Sequence, residues 1–194
     1  MDAIDRMAGV EPGSFLDTLR RRKAVTRDNA QASFDALLAP ADAHEMSAEE
    51  RAAVAYFVAG LHQDEQGLAF YRERLAKVAP AVMLTLDAEI GLAAGSGPYG
   101  CFPSGPLSAE DEPGPRFAVA EPRRVGLGPR LAAALEHVHM LVFHPRDAAP
   151  THMRALETAG WSATSIVTLS QLVSFLSFQL RVAAGLRALN RTLA

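Results

Sequence analysis

The chain has one cysteine, Cys101, in 194 residues. An intramolecular disulfide is excluded, and with it the stapled scaffolds of small secreted domains, so a reducing, cytoplasmic setting is expected. A basic excess is also missing. The formal net charge is −3, which gives no counterion-release drive toward a polyanion, and nucleic acid is not an expected partner. The one basic run, Arg20-Arg21-Arg22-Lys23, reads as the solvated end of an N-terminal helix. The first six residues carry neither a basic start nor an apolar core, so no signal peptide is expected. The longest apolar-leaning stretch, residues 162–180, is interrupted by Ser170, Gln171, Ser174, Ser177 and Gln179. It is expected to be a buried helix rather than a membrane span. Glycine-rich dinucleotide and phosphate loops and a Gly-x-Ser-x-Gly elbow are all lacking, which leaves nucleotide cofactors and serine-hydrolase chemistry unsupported. No cofactor is expected.

Helical periodicity is what the sequence does contain. With 49% hydrophobic and 21% charged residues, a single domain spanning residues 1–194 has enough apolar material for one core. Ser47 and Glu50 have the spacing of a capping box, and Val54, Phe57, Val58 and Leu61 follow at i, i+3, i+4, i+7. Asp64 suits the N-cap of a second helix bearing Leu68, Tyr71, Leu75 and Val78, and Pro80 the first turn of a third. Residues 94–128 hold six of the twelve prolines and seven of the fourteen glycines. That composition predicts a helix-free linker between a helical half at 28–93 and another at 129–190. In the second half Leu131, Leu135, Val138 and Val142 share a face up to Pro145. A short helix is predicted to close at Gly160, and Ser162 to cap the longest one. Ser170, Ser174, Ser177 and Arg181 form a small-residue stripe along it. The fold class read from these patterns is all-α.

Glu136, His137, His139 and His144 lie close enough in sequence to raise the question of a metal. On one helix His137 and His139 point to nearly opposite faces, and His137 and His144 stand two turns apart, about 10 Å. Glu136 and His139 share a face as in the Glu-x-x-His element of di-iron bundles, yet no second Glu-x-x-His occurs. No metal site is expected. Cys101, between Tyr99 and Phe102, has two readings: a reactive thiol that cycles through a sulfenic acid, or a packed loop cysteine.

The segments 46–75 and 160–186 resemble the signature helix pair and the C-terminal helix of the alkylhydroperoxidase D (AhpD)-like, carboxymuconolactone decarboxylase superfamily, in its peroxidase-related branch. The resemblance covers roughly residues 28–190. It implies an AhpD-like helical bundle, peroxidase or decarboxylase-like chemistry, and homo-oligomers such as dimers, trimers or hexamers. In that family a basic-acidic pair opens one helix, a Cys-x-x-Cys pair opens the next, and a histidine follows one turn later. A helix N-terminus favours the thiolate this chemistry needs. Here Arg51 matches the basic residue, Ala52 takes the acidic position, Asp64 and Gly67 take the two cysteine positions, and Phe70 and Tyr71 fall where the histidine is expected. The redox pair is absent. The resemblance therefore points to a non-dithiol ligand-binding or partner subunit with a small-molecule ligand. The alternatives are an antioxidant peroxidase-type enzyme using Cys101, or a proton-transfer or decarboxylase-type enzyme using His62, Glu65 and Tyr71, whose types suit acid-base work near neutrality.

Overall fold

The structure, a computed structural model, describes residues 1–43 and 45–193. Its helices are α1 (Ala3–Ala8), α2 (Phe15–Arg21), α3 (Ala24–Leu38), α4 (Ala48–Leu61), α5 (Glu65–Val78), α6 (Met83–Ala93), α7 (Glu121–Leu127), α8 (Pro129–Phe143), α9 (Pro150–Thr158) and α10 (Ala163–Leu193). Among the described residues there is no strand, only an isolated antiparallel bridge between Gly100 and Glu112. The all-α expectation holds.

The centre of the fold is α4. Its last eleven residues, Arg51 to Leu61, are apolar or small apart from Arg51, and all are buried. A helix that is apolar on every side has to be surrounded, and α4 packs against α5, α6, α8 and α10. Ser47 and Glu50 form the predicted capping box. At Gly60 a β-carbon would come within 2.6 Å of the Ile90 side chain, so glycine is what lets α6 approach this closely. Arg51 is buried. Its guanidinium donates to the carbonyls of Leu37 (2.6 Å), Met46 (3.0 Å) and Ala43 (3.2 Å), tying down the chain between α3 and α4.

Two expectations change. The segment 94–128 is not helix-free, because it contains α7 and a 3-10 turn at Pro106–Glu110. Pro122 and Pro106 sit in first turns, where a missing amide hydrogen breaks no bond. The basic run is not simply solvated either. Arg20 and Arg27 clamp Asp2 and Asp5 at 2.5–2.8 Å, joining α1, α2 and α3, while Arg22 and Lys23 stay exposed.

By length and composition α10 is able to cross a bilayer; in this fold Leu169, Leu172, Leu176 and Leu180 are buried and the helix packs on α1, α3, α4 and α8. Ser162 accepts from the Ser165 amide at its start. The hydroxyls of Ser170 and Ser174 bond back to carbonyls one turn earlier, and Ser174 and Arg181 are exposed.

Candidate ligand site

At the α4–α5 junction each residue of interest has a defined structural task. Asp64 caps α5 by accepting from the Gly67 amide at 2.6 Å and pairs with Arg187 of α10. At Gly67 a β-carbon would overlap Leu180 of α10. Position 64 thus serves as a helix cap, and the space beside Gly67 is filled by a neighbouring leucine. His62 ends α4 with Nε2 3.1 Å from the Ser177 hydroxyl. Burial, reinforced by Arg181 and opposed by Asp64, lowers its pKa. Ser177 and Arg181 border an open cleft of about 810 Å³ that also touches Gly97 and Pro98 of the linker.

Tyr71 does not share that cleft. It is fully buried and donates to Gln179, and burial raises its pKa. Ser177 and Gln179 are two residues apart, so they face nearly opposite sides of α10. Glu65 is exposed on the first turn of α5. Cys101 is exposed in the linker, and its amide donates to Asp147 at 3.1 Å. The structure therefore leaves His62, Glu65, Tyr71 and Cys101 in four separate settings.

A different group of residues converges. Four of the six histidines fall between positions 137 and 152, and His137, His139, His144 and His152 all line one cavity of about 230 Å³. Its frame is α8, α9 and linker residues 116–118. Helical spacing puts His137 and His139 on nearly opposite faces of α8, yet both line this cavity. There α9 brings His152 toward His137, and the linker stacks Phe117 on His139 with ring centres 5.3 Å apart.

His144 holds the roof in place. Its Nδ1 lies 3.1 Å from Asp147 and its Nε2 2.9 Å from the Pro115 carbonyl, while Asp147 also accepts from Cys101. Two residues at the end of α8 thereby fasten both arms of the linker. The Cys101 amide, then the His144 ring, hold the Asp147 carboxyl below its usual range against a burial penalty.

His137 is the exception within the cluster. It is 4% exposed, and neither ring nitrogen has a hydrogen-bond partner. Burial, then neighbouring His152, depress its pKa to about 4. Burial, then His144, do the same for His139, partly offset by the Ala93 backbone. Both rings are neutral at pH 7. Among the described residues no three His, Cys, Asp or Glu side chains are arranged to hold a metal ion. The sequence reading stopped at Glu136 and three of these histidines. His152, Arg116 and Phe117 were missed, although the crowding of histidines between 137 and 152 was a usable signal.

Comparison with protein-family models, curated proteins and solved structures finds no match. The described fold and this cavity define an all-helical protein with a histidine-lined cavity.

Proposed function

We propose that this protein is a ligand-binding member of the AhpD-like helical proteins that has left dithiol chemistry behind, and that its ligand occupies the α8–α9–linker cavity. The observation carrying this reading is His137, a buried imidazole with both nitrogens unmatched. Leaving a buried polar group without a partner costs about 1–3 kcal/mol, a cost that a bound molecule removes. The filled position beside Gly67 supports the loss of the redox pair. A lone exposed thiol fits a cytoplasmic setting. Outward apolar residues on α6, Leu84 and Leu92, fit self-association as a homo-oligomer.

The test is calorimetric titration with benzene, a neutral probe small enough for the cavity. Ala133, one turn before His137 on α8, also lines the cavity. Wild type is expected to bind, and Ala133→Leu, which adds bulk inside the cavity, to lose at least about tenfold in affinity for benzene. Equal binding by the two proteins would place the probe elsewhere and defeat the reading.

A further inference from the structure

Resting on that assignment of the cavity, we propose that its ligand is a small neutral molecule bearing a hydroxyl group on an aromatic or compact apolar body, with phenol as the simplest representative.

Size sets the first limit. At interior packing density a cavity of about 230 Å³ holds a molecule of roughly ten non-hydrogen atoms, below the span of drug-sized pockets.

Charge sets the second. Glu136 and Asp147 both line the cavity and both are already engaged. Glu136 accepts from Arg124 and from the Val119 amide at 2.9 Å, and Asp147 from Cys101 and His144. Two carboxylates disfavour an anion, and Arg116, exposed at the rim, disfavours a cation. A neutral molecule meets neither objection.

Hydrogen-bonding capacity sets the third. Both nitrogens of His144 face acceptors, the Asp147 carboxylate and the Pro115 carbonyl, and Nδ1 of His152 accepts from the Ala149 amide at 3.1 Å. The Ala93 backbone lies beside His139 and partly offsets the lowering of its pKa. Of the four, His137 is the ring with both nitrogens buried and unpartnered, and as a neutral ring it has one donor and one acceptor to match. A carboxylate matches only the donor and an ammonium only the acceptor. A hydroxyl matches either nitrogen in either tautomer. The stacked Phe117–His139 pair and Met140 supply a flat, polarisable wall suited to an aromatic ring.

The experiment is calorimetry of the full chain at pH 7 with phenol, benzene and benzoate, on wild type and His137→Phe. Phenol is expected to bind about tenfold more tightly than benzene or benzoate, and His137→Phe to bring phenol close to benzene. Because that variant alters a buried position, the nitrogen-15 resonances of the His137 ring are followed in wild type as well. Phenol is expected to shift them and benzene to leave them nearly unmoved. Benzoate outranking phenol, or phenol and benzene binding equally, overturns the ligand class while leaving the cavity a binding site. No binding of any of the three overturns both this inference and the site assignment beneath it.

Discussion

Between pH 6.5 and about 4 the protein is expected to lose much of its stability, because His137 and His139 are held neutral inside the fold. In the unfolded chain each ring takes up a proton near pH 6.5, whereas in the folded protein the pKa of each is depressed to about 4. The stability these rings contribute is present above pH 6.5 and is lost as the pH falls through that interval. Each ring accounts for something on the order of 2–3 kcal/mol by linkage. Typical domains are stable by only about 5–15 kcal/mol, so two rings account for a large fraction of that range. The carboxylates of Asp2, Asp17 and Asp147 act at lower pH, since their folded pKa values lie below 3.8. Urea unfolding followed by circular dichroism at pH 7, 6, 5 and 4 reads the effect directly, and His137→Phe is expected to remove roughly half of the slope. A flat profile over this range would mean that the two rings are not held neutral.

Placing cysteines at positions 64 and 67, as the proposed kinship with the AhpD-like proteins suggests, is expected to damage the fold without creating a peroxidase. Asp64→Cys removes the α5 cap and the Arg187 partner, and Gly67→Cys drives a side chain into Leu180. The double variant is expected to lose about 3–5 kcal/mol of stability, combining a lost cap, a broken half-buried ion pair and an overpacked contact. Adding Leu180→Ala is expected to cost less than its own effect predicts, because it empties the space the new cysteine needs. In assays with hydrogen peroxide and an organic hydroperoxide, wild type, Cys101→Ser and the double variant are all expected to remain at background. Turnover by wild type that disappears in Cys101→Ser would instead make Cys101 a peroxidatic thiol.

Much of the helical order was legible because its signals are local. The Ser47–Glu50 box, the Asp64 cap, the stop before Pro145 and the turn at Gly160 each act within a few residues, and the structure shows all four. Pro122 misled because a proline count ignores position, and a first-turn proline is compatible with the helix that forms as α7. The site was far less legible. Whether His137 finds a partner depends on α9 and on the linker, which lie far along the chain from one another and meet only after folding. Helical spacing set His137 and His139 on nearly opposite faces of α8, yet the two rings line one cavity, whose lining also draws on α9 and the linker. Tyr71 and Gly67 were visible as residues, but their burial against Gln179 and Leu180 is a long-range fact of α10.

The most direct measurement is diffraction from crystals equilibrated with phenol. The account predicts an aromatic ring within the α8–α9–linker cavity, beside Phe117 and His139, with its hydroxyl within hydrogen-bond distance of a His137 ring nitrogen. Ordered water alone in that cavity, with phenol bound in the cleft beside Ser177 and Arg181 or not at all, would contradict it.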